Sequence, residues 1–519
     1  MYRITSILIS LFCLCFFKPS YSQNSTPLIV ETKQGKLQGT SDNGTLVWRG
    51  IPYAKAPIGD LRFKAPKPTD KWEGVKNATT FGPIAPQHSS SNADGKSDED
   101  CLFLNIWSTG ADTKKRPVMF WIHGGAFSTG AGSNSIYDGS SLAKKGEVVV
   151  VTINYRLGPL AFLYFDSIAP NNTDFDHNLG IQDQIAALKW VKENIEKFGG
   201  DPEQVTIFGQ SSGATSVLTL MSIPSTKGLF KHAIAESPSL YLWTTQDATM
   251  VTEKFLALLG LPKNLLSELF TISADSLNQV AKRLLQDRGS MPSIGIFSPT
   301  IDRKLIVQHP LSSITAGNTK DVKLMIGTNK DEANLFRTYT NSPIPLTGKQ
   351  MHESFAARAP NSENQITNTY PKYPKEQAVL SLLTDAVFRM PAIKIAEAQQ
   401  KYTPTFMYRM DWASLPLKLK GLRSCHALEL FFVFHSFKSP YGKKISTLAN
   451  KKVIYKVADQ IQTAWINFAK TGNPNTANSE TWKPYSPIDR PTMIFDKKTK
   501  LDYDPNAKQR VSWGDIKLF

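Results

Sequence analysis

Two continuous apolar runs of strand length constrain the fold of this chain most strongly. They span residues 116–123 (RPVMFWIH) and 146–155 (GEVVVVTINY), and they lack the polar–apolar alternation of a strand with one solvent-facing side. Such runs are typical of strands that are buried on both faces. Helical patterns lie between and after them, notably at residues 179–198, where apolar residues recur at helical spacing. This alternation predicts an α/β fold with a central, mostly parallel sheet flanked by helices on both sides.

The rest of the chain fits one folded unit around such a sheet. Of its 519 residues, 41% are hydrophobic and 20% are charged, which gives enough apolar surface for a large core. Short strands at residues 28–32, 35–39 and 46–50, separated by turns, predict a small β portion at the N-terminus. The sequence contains neither an interdomain linker nor a repeat of fixed period. We therefore expect residues 23–519 to form a single domain.

The first residues have the pattern of a signal peptide. Arg3 precedes an apolar run at residues 4–17, and the small residues Ser20 and Ser22 follow it. The run of 14 residues is shorter than the roughly 20 that span a bilayer as a helix. We expect residues 1–22 to be cleaved near Ser22, export to the periplasm or the cell exterior, and no stable membrane anchor.

Charge and cysteine content limit the possible partners and cofactors. The formal net charge is +16, but the lysines are scattered and no basic block with interleaved aromatic residues stands out, so we expect a solvated basic surface and no nucleic-acid partner. No cluster of cysteine and histidine has zinc-ligand spacing, and we expect no metal or organic cofactor. Cleavage would leave Cys101 and Cys425, for which two buried thiols are favoured over a disulfide. The sequence does not determine the oligomeric state.

A glycine-flanked serine carries the strongest chemical signal. Gly209-Gln210-Ser211-Ser212-Gly213 follows an apolar strand at residues 205–208 and precedes a helix of small residues. Glycines on both sides allow the sharp strand-to-helix turn that exposes a nucleophilic hydroxyl, which favours this interpretation over a plain glycine turn. Ser211 is then the nucleophile. Ser212 lies one position beyond it, and we expect its backbone N–H to matter more than its hydroxyl.

A second glycine-rich turn supplies candidate donors for an oxyanion. His123-Gly124-Gly125-Ala126 directly follows a buried strand, and paired glycines let the backbone approach a substrate carbonyl closely. His123 lies upstream of Ser211, whereas this type of site has the order serine, acid, histidine. We therefore interpret His123 as structural.

The base and the acid must lie downstream of Ser211. His426 follows an irregular stretch after a predicted strand at residues 406–410, which is where the base belongs, and it is preferred over the other downstream histidines His232, His309, His352 and His435. For the acid, Asp331 and Glu332 both follow a buried strand at residues 322–327. Spacing alone does not choose between these two carboxylates, and both would also suit the start of a helix.

Together these motifs resemble the type-B carboxylesterase and cholinesterase family over nearly the whole chain after the signal segment. The matching strings are residues 50–57, 61–63, 98–107 (DEDCLFLNIW), 123–127, 154–158 (NYRLG), 178–183, 198–202, 208–214, 329–332, 426–429 and 465–474. The resemblance implies an α/β-hydrolase fold with Ser211 as nucleophile, Glu332 as acid and His426 as base. It also implies an oxyanion hole formed by the backbone N–H groups of Gly124, Gly125 and Ser212.

The chain departs from the family pattern at four positions. Gln210 replaces the usual glutamate beside the nucleophile, so a negative charge is absent there. Ser212 replaces alanine, and Ala333 replaces the glycine that usually follows the acid. The family's first disulfide cannot form, because no cysteine lies between Ser22 and Glu99 to pair with Cys101.

The resemblance implies hydrolysis of carboxylic esters through an acyl-enzyme on Ser211. The neutral Gln210 argues against cationic substrates, so we expect short- to medium-chain neutral esters as small-molecule substrates. A lipase, thioesterase or amidase would share the same machinery. A non-catalytic adhesion protein is the remaining alternative, and the presence of serine, acid and histidine together argues against it.

Overall fold

A computed structural model describes residues 28–518, apart from residues 88–94, 171–172, 287–294, 340–341, 343 and 477–480. The predicted signal segment lies outside the described residues. The strands are β1 (Ile29–Glu31), β2 (Lys36–Gln38), β3 (Thr40–Asp42), β4 (Thr45–Pro52), β5 (Val75–Asn77), β6 (Phe103–Ser108), β7 (Arg116–Ile122), β8 (Val149–Ile153), β9 (Gly200–Gln210), β10 (His232–Glu236), β11 (Lys323–Asn329), β12 (Thr405–Met410), β13 (Pro491–Phe495) and β14 (Lys500–Tyr503).

The helices follow the same chain order. They are α1 (Ser140–Gly146), α2 (Pro159–Phe162), α3 (Leu179–Asn194), α4 (Ser212–Ser222), α5 (Thr245–Leu259), α6 (Ala274–Gln286), α7 (Pro310–Thr315), α8 (Gly348–Arg358), α9 (Glu363–Thr367), α10 (Glu376–Thr384), α11 (Met390–Gln399), α12 (Leu415–Leu419), α13 (Leu430–Val433), α14 (Pro440–Ser446), α15 (Lys451–Thr471) and α16 (Ala507–Trp513). Short 3₁₀ and π turns join several of them.

One large mixed sheet organises the described residues, with the strand order β14-β13-β12-β11-β10-β9-β7-β8-β6-β4-β3. The seven strands from β13 to β8 run parallel, and antiparallel strands extend the sheet at both edges. Strands β7 and β8 lie side by side, and every residue of β8 is buried. The predicted α/β sheet with doubly buried strands is confirmed.

The predicted N-terminal β portion is divided between two sheets. Strands β1, β2 and β5 form a separate three-stranded sheet, whereas β4 pairs with β6 at one edge of the large sheet. Five of the eight residues of β4 are buried, whereas β1 and β2 each bury only their central residue.

Cys101 and Cys425 are both buried and unpaired, as expected from the sequence. Among the residues that the structure describes, no helix is both long and apolar enough to cross a membrane.

A buried ion pair connects the segment that follows β8 with helix α3. Arg156 and Asp183 have side chains that are only 3% and 0% exposed. The Asp183 carboxylate accepts hydrogen bonds from the Arg156 backbone N, from Nε at 2.9 Å and from Nη2 at 2.7 Å, while Nη1 donates to the Lys64 carbonyl. Because every charged atom has a partner, the pair joins three chain segments without leaving an unmet charge.

Removing Asp183 would leave the Arg156 guanidinium buried without its counterion. We expect Asp183→Ala to lower the free energy of unfolding by about 3–5 kcal/mol, measured by urea denaturation. Glu193→Ala is the matched control, because Glu193 forms an exposed pair with Lys33 at 3.9 Å, and such a pair contributes at most about 1 kcal/mol. Equal losses in the two variants would contradict the structural role of the buried pair.

Candidate active site

Ser211 occupies a strained turn between β9 and α4. Its backbone has φ 59° and ψ −123°, a conformation that residues other than glycine rarely adopt. The turn is held by a hydrogen bond from the Ser211 N–H to the Glu236 carbonyl at 2.8 Å. A side chain at Gly213 would place its Cβ 2.1 Å from the Ile122 carbonyl oxygen, so only glycine fits against the end of β7. The turn therefore has the geometry that the glycine pattern predicts.

The two downstream candidates for acid and base meet in space. Glu332 is fully buried just after β11, and its Oε2 lies 2.6 Å from Nδ1 of His426, which follows β12. Because a carboxylate can only accept, Nδ1 carries a proton, so in the neutral imidazole Nε2 is the nitrogen with the lone pair. Asp331 instead faces Ser424 and Arg423. The structure thus places Glu332, and not Asp331, against the imidazole.

Two residues that sequence reasoning missed hold the Glu332 carboxylate. Its Oε1 accepts hydrogen bonds from the Ser237 hydroxyl and from the Asn329 backbone N–H, both at 2.6 Å. Asn329 lies within a family string, so the sequence offered a signal for it. Ser237 follows β10 and carried no signal, because its contact depends on the neighbouring positions of β10 and β11 in the sheet. These bonds fix the direction in which Glu332 faces His426.

Two more carboxyl groups lie buried behind this pair. Glu236 accepts a hydrogen bond from the Trp465 indole at 2.7 Å, and Glu429 is bonded to the Asn329 side chain. Burial raises the pKa of Glu236 to about 8. Burial, and then the charge of Glu332, raise the pKa of Glu429 well above its usual range. Burial therefore favours the neutral, protonated form of both groups.

The Gln210 side chain lies directly against the imidazole. Its Nε2 is 3.1 Å from Nε2 of His426, and Gln210 itself is only 4% exposed. A Cβ added to Gly124 would lie 3.1 Å from Gln210 Oε1, so the amide fills the space between that glycine and the histidine. Nε2 of Gln210 is also 3.5 Å from Nδ1 of His426, so the amide lies over the ring and not in line with the lone pair of the imidazole Nε2. Among the described contacts, none joins the Ser211 hydroxyl to His426.

His123 holds the glycine-rich turn after β7 in place. Its buried imidazole stacks on Tyr155 with ring centroids 4.4 Å apart, and Nδ1 donates to the Gly124 carbonyl at 2.9 Å. Because the peptide is planar and trans, this bond turns the Gly125 N–H to the opposite side. A Cβ at Gly124 would lie 3.2 Å from that of Ser211, so the turn borders the serine. The sequence interpretation of His123 as structural fits this position.

The remaining downstream histidines lie elsewhere. His232 begins β10 at the amino end of the sheet, and His309 caps α7. His352 pairs with Glu363, and His435 stacks on Tyr455. The structure therefore brings together Ser211, Glu332 and His426 with Gly124, Gly125 and Ser212, at the carboxyl ends of β7, β9, β11 and β12. No group of residues in the described ranges has the arrangement of a metal site.

Comparisons with known proteins identify the family of the chain. A family model described as "Carboxylesterase family" matches residues 26–513. The chain is 40% identical to the para-nitrobenzyl esterase of Bacillus subtilis (strain 168), covering 93% of this chain and 98% of that protein. It is 31% identical to the cholinesterase of Mus musculus, covering 97% and 89%. The solved carboxylesterase of Geobacillus stearothermophilus superposes with a TM-score of 0.84 at 39% identity, covering 93% and 99%.

The environment of His123 predicts its protonation state. Burial lowers the pKa of His123 to about 4, so we expect a neutral imidazole from pH 8 down to about pH 5. The ¹⁵N shifts of a histidine-labelled sample measure this, with His123→Phe identifying the signal. A His123 signal that titrates near its ordinary value of about 6.5 would contradict the buried, singly protonated ring.

Proposed function

Since this chain belongs to the carboxylesterase family and is a serine carboxylic-ester hydrolase with the α/β-hydrolase fold, we propose that Ser211, His426 and Glu332 form its catalytic triad. The observation that carries this proposal is the 2.6 Å contact between Glu332 Oε2 and His426 Nδ1 beside the strained Ser211 turn. It leaves the Nε2 lone pair of His426 available as a base on the side of Gln210 and Ser211.

The reaction proceeds in two halves. The Ser211 hydroxyl attacks the ester carbonyl carbon while His426 Nε2 accepts its proton, and the oxyanion is bound by the N–H groups of Gly124, Gly125 and Ser212. His426 then returns the proton to the departing alcohol, leaving the acyl group on Ser211. Water attacks this acyl-enzyme with His426 again accepting a proton, and the acid leaves. Glu332 stabilises the imidazolium in both halves.

The surroundings of His426 favour neutral esters as substrates. The rings of Phe388 and Phe336 lie 4.7 and 5.4 Å from its imidazole, and Gln210 is uncharged. Aromatic rings suit alkyl or aryl groups, and the neutral Gln210 provides no counterion for a quaternary ammonium. Short- to medium-chain neutral esters are the proposed substrates, processed by one domain of residues 23–519 that is exported after cleavage near Ser22.

The nucleophile is tested with p-nitrophenyl esters of increasing acyl length. We expect Ser211→Ala to lower kcat by at least about a thousandfold, because the variant lacks the hydroxyl at the strained position of the turn. Ser212→Ala is the matched control: it removes the neighbouring hydroxyl but keeps the backbone N–H, and we expect activity within a fewfold of the parent. A larger loss in Ser212→Ala than in Ser211→Ala would overturn the assignment.

The same series separates the esterase from a lipase. Rates that peak at short and medium acyl chains support the proposed substrates, whereas rates that rise with long chains indicate a lipase. Absence of turnover in the parent protein with all of these esters would favour a non-catalytic role.

The role of Gln210 is tested by restoring a charge. We compare acetylthiocholine with an uncharged thioester in which carbon replaces the quaternary nitrogen. We expect Gln210→Glu to raise kcat/KM about fivefold for the cationic substrate relative to the uncharged one, because a carboxylate near the site attracts the cation. The acid limb of the pH–rate profile should move to higher pH, because the added charge stabilises the imidazolium and raises the pKa of the base. Gln210→Met serves as the control without charge. If Gln210→Met produces both changes as well, charge is not their cause.

A further inference from the structure

Residues 438–456 form a strongly basic segment on the surface, which we call the basic segment. It contains six lysines and no aspartate or glutamate: Lys438, Lys443, Lys444, Lys451, Lys452 and Lys456. All six are exposed, and none takes part in the ion pairs found among the described residues. Six lysines within 19 consecutive residues show that the lysines are not evenly scattered along the chain.

The basic segment also exposes large apolar side chains. Leu448, in the loop between α14 and α15, is 80% exposed, and Tyr455 and Tyr441 are 45% and 41% exposed. The Lys444 ammonium lies 5.2 Å from the centre of the Tyr441 ring. Lysines interleaved with exposed leucine and tyrosine are typical of surfaces that lie in the headgroup region of a membrane, where the charges meet lipid phosphates and the apolar groups insert.

The position of two of these lysines is unfavourable for the helix that carries them. Lys451 and Lys452 begin α15, whose first turn contains no acidic residue. The amino end of a helix carries a partial positive charge, so cations there are repelled. The Asn450 side chain caps the helix by accepting from the Val453 N–H. Local helix stability therefore does not account for this lysine pair.

Helix α15 places the basic segment on the same end of the sheet as the active site. Near its end, the Thr471 carbonyl accepts a hydrogen bond from Lys323, the first residue of β11. Earlier in the helix, the Trp465 indole bonds to Glu236, the last residue of β10. The helix thus runs antiparallel to these strands, and Lys451 lies about 20 Å beyond Trp465 at a rise of about 1.5 Å per residue.

We propose that the basic segment adsorbs reversibly to anionic phospholipid membranes and turns the carboxyl ends of the strands toward the lipid. The lysines supply electrostatic attraction to lipid phosphates, and Leu448 with the two tyrosines supplies shallow insertion. Six lysine charges and three shallowly inserted apolar side chains are too few for a permanent anchor, so the binding is reversible. This fits the expectation of no stable membrane anchor. The adsorption itself does not depend on ester hydrolysis, so its failure and that of the proposed function are separate results.

Co-sedimentation of the full protein with vesicles tests this proposal. We expect binding to equimolar phosphatidylglycerol and phosphatidylcholine, weak binding to phosphatidylcholine alone, and loss of binding as salt is raised. Lys451→Gln combined with Lys452→Gln should weaken the binding about 25-fold, at about fivefold per lysine. Leu448→Ser should weaken it at unchanged charge.

The matched control removes the same charge at the other end of the sheet. Lys231 and Lys320 are exposed just before β10 and β11, and Lys231→Gln combined with Lys320→Gln should bind nearly as well as the parent. Far-UV circular dichroism and thermal unfolding report whether each variant is folded. Equal weakening by both lysine pairs, no effect of Leu448→Ser, or tighter binding to a duplex DNA than to the anionic vesicles would each overturn the proposal.

Discussion

The close contact between the Ser211 turn and the end of β7 is the constraint on which the rest of the site depends. Neither Gly209 nor Gly213 has room for a Cβ against the Ile122 carbonyl. Because β7 runs directly into His123 and the glycine pair, this contact also sets the distance between the serine and the neighbouring N–H donors. One packing requirement therefore positions two functional parts that lie far apart in the sequence.

The acid and the base form a second unit, built on the next strands of the sheet. The Asp331 N–H donates to the Ser424 carbonyl at 2.9 Å, and the Asn329 side chain donates to the Cys425 carbonyl at 2.8 Å. Ser237 joins this unit to the serine turn. It bonds to Glu332, while the residue before it accepts the hydrogen bond from the Ser211 N–H. The two units are thus connected through β10.

Sequence reasoning predicted the parallel sheet and the serine turn well, because apolar runs and paired glycines are local signals. It left Asp331 and Glu332 equivalent until the family resemblance was considered, since both follow β11 and only side-chain direction separates them. The contacts of Ser237 and Gln210 join different strands, so no local pattern encodes them. The lysines of residues 438–456 are visible in the sequence, but their meaning depends on exposure and on the direction of α15.

The irregular backbone that carries His426 has a consequence for heat inactivation. Between β12 and α13, the segment around His426 is fixed by hydrogen bonds to the residues after β11, whereas Ser211 is fixed by the packed sheet. Local opening of this segment would separate the base from the nucleophile while the sheet stays folded. The half-life of activity on heating would then measure the stability of this segment and not that of the core.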